Sequence, residues 1–183
     1  TFLDAAGLPT PDTMDGKSFL PVLLDHSREH KTYTFGLHTT RGIINGSENF
    51  GIRSCATKTH RYIRNLNSDV TFSNAVTKKG GDDANFWSTW RGKAEAGDQH
   101  AVAMTAKYLH RPPEELYDVA HDPHCLQNLI DSPDLQQLKT ELSAELERWM
   151  KSQGDLGVET EAIAHTRKAG YGKKGSKKKK QQQ

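Results

Sequence analysis

Two cysteines, Cys55 and Cys125, are all that this 183-residue chain holds. One possible pair fixes neither a disulfide framework nor a redox compartment. No apolar run approaches the ~20 residues needed to cross a bilayer. No basic segment followed by an apolar stretch marks a secretory leader. The first residue is Thr1, not Met. We read this start as a truncation, so the missing leader carries no information about export. The glycine-rich order of a phosphate loop is absent from the segment around Gly42, Gly46 and Gly51. Hydrophobic residues are 34% of the chain and charged residues 26%. That composition supports a modest core that is thin for the whole length.

The positive charge is equally local. From Arg167 onward there are eight Lys or Arg and no acid, while the whole chain carries +2, so residues 1–166 carry −6. The basic pI therefore belongs to the tail and does not argue for a nucleic-acid-binding fold. The tail is dominated by Gly and Lys and ends in four lysines and three glutamines. It has too little apolar area to offset ordering entropy, and we expect residues 156–183 to be disordered.

Residues 1–7 read as a helix end with Gly7 just beyond it. Ser18 is placed to cap the apolar stretch from Phe19 to Leu24. Three strand-like segments follow, at 33–37, 50–56 and 61–66, the last two joined at hairpin length. A fourth lies at 114–118. Phe86, Trp87 and Trp90 repeat at helical spacing, and 98–110 reads as a helix ended by Pro112-Pro113. Residues 78–83 read as a mobile insertion. The clearest helix runs over 132–153, with Ser132 as N-cap, Pro133 at N1, a stripe from Leu135 to Met150, and Gly154 as its stop. The fold class is α+β: a small antiparallel sheet of about four strands packed against the long C-terminal helix, followed by the basic tail.

Candidate chemistry is sparse. Asp118, His121, Asp122, His124 and Cys125 crowd eight residues, but their spacing fits no standard zinc pattern. A strand-to-helix turn with self-capping side chains is the preferred reading. Cys55 and Cys125 lack a visible neighbouring base and read as buried small side chains. The segment between the first two strands is long for a hairpin connection. It mixes His38, Thr39, Thr40, Arg41, Ser47, Glu48 and Asn49, with Arg53 just beyond. Such a set suits a sulfated sugar, with Arg on an anion and Glu on hydroxyls. Taken alone, a solvated loop satisfying its own backbone is the better reading. The tripeptide Asn45-Gly46-Ser47 is formally a glycosylation sequon.

Three stretches together shift that balance. Residues 2–24 look like the segment that closes the catalytic domain of sulfatases. Residues 50–66, ending in Arg61-Tyr62-Ile63-Arg64-Asn65-Leu66, resemble an antiparallel pair of that family. Residues 115–130, from Glu115-Leu116-Tyr117-Asp118 to Asn128-Leu129-Ile130, resemble its ELYDL…DPxExxNL signature, with Cys125 where Glu is usual. The resemblance covers about residues 1–155 and is nearest to N-sulfoglucosamine sulfohydrolases. It implies a division into 1–25, the end of the catalytic domain; 26–155, a C-terminal subdomain; and 156–183, the tail. It further implies a parent that hydrolyses a sulfate ester or sulfamate, on a sulfated glycan or other sulfated small substrate. Calcium and a formylglycine would sit in an N-terminal domain outside this chain. Cys55 is followed by Ala56-Thr57-Lys58-Thr59, not by the Cys/Ser-x-Pro/Ala-x-Arg pattern that is converted to formylglycine. By resemblance His38, Thr40, Arg41 and Glu48 become candidate substrate contacts, no catalytic residue lies here, and a periplasmic, secreted or lysosomal location is expected. The partner is the parent's catalytic domain, with no nucleic acid and no membrane. A reading from another class is an anion- or glycan-binding module using the Lys tail, in which charge attracts without sequence specificity.

Overall fold

The computed structural model describes residues 1–27, 29–39, 46–47, 50–77 and 85–167. The insertion expected at 78–83 and the tail from 168 lie outside them. The chain divides into two compact units, Thr1–Thr34 and Phe35–Gln183.

The first unit holds two short helices, α1 (Phe2–Ala5) and α2 (Leu20–Leu23). Gly7 adopts φ +68°, and the amides of Gly7 and Leu8 reach the carbonyls of Asp4 and Leu3 at 3.0 and 2.8 Å. This is the paired C-terminal closure that a left-handed glycine permits. Ser18 Oγ accepts from the Leu20 amide at 3.2 Å and donates to Asp4 at 2.6 Å, tying the two helices together.

The second unit is built on a four-stranded sheet in the order β1 (Thr34–His38), β2 (Ile52–Ala56), β3 (His60–Asn65), β4 (Glu114–Asp118). β2 and β3, and β3 and β4, pair antiparallel. Facing residues share a face of the sheet. One row runs Cys55, Tyr62, Leu116, and all three are fully buried. The other face carries Ser54, Ile63 and Glu115 in one row, with Arg61 opposite Tyr117.

Between β3 and β4 the chain forms a helical pair, α3 (Asn85–Glu95) and α4 (Gln99–Leu109). Asp98 caps α4 by accepting from the Ala101 amide at 3.0 Å. Helix α5 (Gln136–Ser152) covers the Cys55–Tyr62–Leu116 face. Arg64 reaches Glu147 at 2.8 Å and Ser143 at 3.1 Å, and Glu114 reaches Lys139 at 2.9 Å. Leu142, Leu146 and Met150 are buried, and Trp149 stacks flat on Phe35 at 4.9 Å. Ser132 does not cap this helix with its hydroxyl; Pro133–Leu135 form a 3-10 turn, and the Gln136 side chain donates to the carbonyls of Ile130 and Ser132.

The turn after β4 behaves as expected of a self-capping segment. Asp118 accepts from the amides of Ala120 and His121, and Asp122 from Gln127. Among the described residues no group of three or more His, Cys, Asp or Glu is placed to hold a metal ion. Cys55 and Cys125 are both free thiols.

The expectation of disorder from residue 156 is corrected. A sixth helix, α6 (Val158–Ile163), follows α5 and continues into a 3-10 turn at Ala164–Arg167. Its reason is electrostatic, because its most buried residue is Glu161 while Val158 and Ile163 stay half exposed.

Candidate functional site

The neck of the 38–49 segment is where the chain concentrates buried charge. The route begins at Gly154, whose φ of +64° ends α5. The amides of Gly154 and Asp155 bond to the carbonyls of Lys151 and Met150 at 3.1 and 2.9 Å. This closure turns the chain back so that Asp155 meets Arg53 on β2. Arg53 Nε lies 2.5 Å from Asp155 Oδ2, and its NH2 lies 3.3 Å from Oδ1 and 2.8 Å from Glu161 Oε1. The Arg53 side chain is 1% exposed, so both carboxylates are required to offset its desolvation. Its remaining donor NH1 serves the carbonyls of His38 and Ile52, both at 3.1 Å.

Glu161 then bridges the two ends of the segment. Its Oε2 accepts from Thr39 Oγ1 at 2.8 Å, beside the Arg53 bond on Oε1. The close approach depends on Gly51, since a Cβ there would lie 2.5 Å from Glu161 Cγ. Ser47 is held as firmly: Oγ donates to the Thr71 carbonyl at 2.7 Å and its amide to Ser73 at 3.1 Å. Burial alone would raise the Asp155 carboxyl, but the Arg53 hydrogen bond, the Gly157 amide and the Arg53 charge outweigh it and hold the group below the usual Asp range.

His38 ends β1 at this neck. Its ring lies 5.9 Å from Phe72, and its buried Nδ1 has no hydrogen-bond partner among the described residues. Burial, then the charge of Arg111, lowers its pKa below 6.5 against opposing contributions from Phe50 and Glu161. Thr40, Arg41 and Glu48 lie outside the described residues. Of the wider polar set, Arg53 and Ser47 are structural, since their polar groups are occupied by the protein itself. Cys55 is fully buried, and burial pushes its thiol up to about 11, which suits a core residue and not a nucleophile. Asp155 and Glu161 were not anticipated; no apolar periodicity marks them, because charge pairing holds α6 in place.

No family model matches the chain. Solved structures define the class of fold. A 2-O GAG sulfatase matches 85% of this chain with a TM-score of 0.51 at 18% identity, over 24% of its own length. A protein solved with its substrate D-glucosamine-2-N,6-O-disulfate matches 87% with a TM-score of 0.54 at 16% identity, again over 24% of its length. At the level of sequence, the chain is 35% identical over 156 residues to an ulvan-active sulfatase of Formosa agariphila. That match takes in 85% of this chain but only 28% of the relative. The chain is thus similar to sulfatases along most of its length, and spans little more than a quarter of the curated relative.

Proposed function

We propose that this chain is the C-terminal part of a sulfatase, a sulfuric ester hydrolase whose substrate is a sulfated glycan. The observation that carries the reading is the 35% identity over 156 residues with the ulvan-active sulfatase. The small sheet with its covering helix, in the same class as the sulfatase fold matches, supports it.

In this reading the parent's preceding domain supplies formylglycine and calcium. The chain's own contribution is the 38–49 segment, with His38, Thr40, Arg41 and Glu48 as substrate contacts. The Arg53–Asp155–Glu161 cluster would hold the ends of that segment at a fixed spacing, so that binding does not pay again for ordering them. Within that reading the parent falls in the N-sulfoglucosamine sulfohydrolase branch and acts outside the cytoplasm.

The test is sulfate release by the full-length parent from ulvan, from D-glucosamine-2-N,6-O-disulfate and from a small aryl sulfate. Release from at least one glycan substrate is expected, and the isolated 183-residue chain is expected to release none. In the parent, Arg41→Ala is expected to raise KM for the glycan about tenfold or more, equivalent to ~1.4 kcal/mol, and to leave the aryl sulfate unaffected. A parent inert on all three sinks the reading. Turnover by the purified chain alone would show that the catalytic centre was misassigned.

A further inference from the structure

Among the described residues, the sheet face opposite α5 is left with a gap. Between β3, β4 and the α3–α4 pair lies a cavity of about 550 Å³, within the range of small-ligand sites. Ile63, Trp87, Trp90 and Tyr108 supply apolar wall, and the Trp87 and Tyr108 rings lie 5.2 Å apart. Among the described residues the charged groups on the wall are unequal in sign: Arg61, Lys107 and Arg111 stand against Glu115 alone. Glu115 is already engaged, by Asn65 at 2.7 Å and by the Tyr117 hydroxyl. Lys107 is engaged by the carbonyls of Cys125 and Leu126.

Arg111 is in a different state. Its guanidinium lies 4.3 Å from the Phe72 ring centroid and 5.7 Å from that of Tyr108. Its buried Nε has no hydrogen-bond partner among the described residues. A guanidinium held over aromatic rings keeps its planar fork and loses little freedom when an anion binds. Buried as it is, Nε is closed to a ligand in the cavity, so an oxyanion would be taken by the terminal nitrogens of the guanidinium. Phe72, which carries Arg111 on one side, also faces the His38 ring. Phe72 thus stands between Arg111 on the cavity wall and His38 at the neck.

We propose that this cavity binds one anionic sugar unit of a glycan, with its sulfate or carboxylate on Arg111 and its ring against Trp87 and Trp90. The preference for an anion with a ring-sized apolar body comes from the cavity itself. The choice of a sugar rests on the sulfatase reading.

The test uses the 183-residue chain titrated with D-glucosamine-2-N,6-O-disulfate, followed by the indole N–H signals of its three tryptophans in NMR. Trp149, stacked on Phe35, is the internal control. Saturable shifts of Trp87 and Trp90 are expected, with Trp149 unmoved and with no response to uncharged glucose. Arg111→Met is expected to weaken binding at least tenfold. Trp90→Ala, at a half-buried position, is expected to weaken it comparably as read from Trp87, and serves where the arginine variant does not fold. Unmoved signals, an equal response to glucose, or wild-type binding by both variants would overturn the proposal. A parent that releases sulfate while this chain binds nothing refutes the cavity proposal alone. A chain that binds beside an inert parent refutes the sulfatase reading alone.

Discussion

The two faces of the small sheet are finished in opposite ways. On one, Cys55, Tyr62 and Leu116 meet Leu142 and Leu146 with no exposed surface left on any of them. On the other, Ile63, Glu115 and Tyr117 look across a cavity at the α3–α4 pair. The closed face carries stability, since burying side chains of this size contributes about 1.5–3 kcal/mol each. The open face forgoes part of that gain and lines a cavity with cations and aromatic rings. An apolar and aromatic wall carrying a few convergent polar groups is the form that ligand sites take.

The sharpest break of this comparison is Leu142→Asp. It places a carboxylate in the fully buried closed face, and a loss above about 4 kcal/mol is expected. Thermal melting by circular dichroism should show no cooperative transition. A wild-type melt would mean that α5 does not close the core. By contrast, Trp90→Ala on the open face is expected to leave folding intact.

These contrasts follow how legible each part was in the sequence. Helix α5 announced itself through Leu135, Leu138, Leu142 and Leu146, because apolar periodicity records burial against a sheet. The strands were readable to within two residues from their β-branched and aromatic content, and Gly7 and Gly154 from their place after helical patterns. The 156–167 segment was misread because its anchor is Glu161 paired to Arg53. A buried ion pair joins residues a hundred positions apart and leaves no local period. Arg53 was likewise grouped with candidate ligands, since a sequence does not say which way an arginine on a strand points. The cavity was invisible for a related reason: Trp87, Trp90, Tyr108 and Arg111 could be seen, but the gap they enclose depends on how α4 lies across the sheet.

A smaller break concerns Asp155. Removing one partner from a buried ion pair costs about 3–5 kcal/mol. Asp155→Ala should fall at the low end, since Glu161 still faces Arg53. The pH dependence has a fixed sign. The folded Asp155 pKa lies below the ordinary value of 3.8, so its stabilisation is fully present above that value and is lost as pH falls through the folded pKa. Melting temperature measured from pH 6 to pH 2 should therefore fall more steeply below pH 4 in the wild type than in Asp155→Asn. Parallel curves would show that the pair contributes no acid sensitivity.

The smallest effect belongs to His38, at the junction of the neck and the open face. Burial and the charges of Arg111 and Arg53 favour its neutral form, while the Phe50 backbone and Glu161 favour the charged one, and the net result is a folded pKa below 6.5. The unfolded chain therefore takes up this proton first as pH falls. Stability contributed by neutral His38 is complete above pH 6.5 and declines as pH falls from that value toward the folded pKa, where the folded histidine also protonates. His38→Gln removes the titration and keeps a polar side chain of similar reach. The drop in melting temperature between pH 7.5 and pH 5.5 should be smaller in the variant than in the wild type, with the other eight histidines common to both. If the two drops are equal, His38 is not held neutral by its surroundings. If the variant drops more, the sign is reversed and Glu161, not Arg111, governs the charge at the neck. The same substitution in Arg111→Met separates the two influences. Without the Arg111 cation the pKa of His38 rises toward its ordinary value, and the difference between histidine and glutamine should shrink.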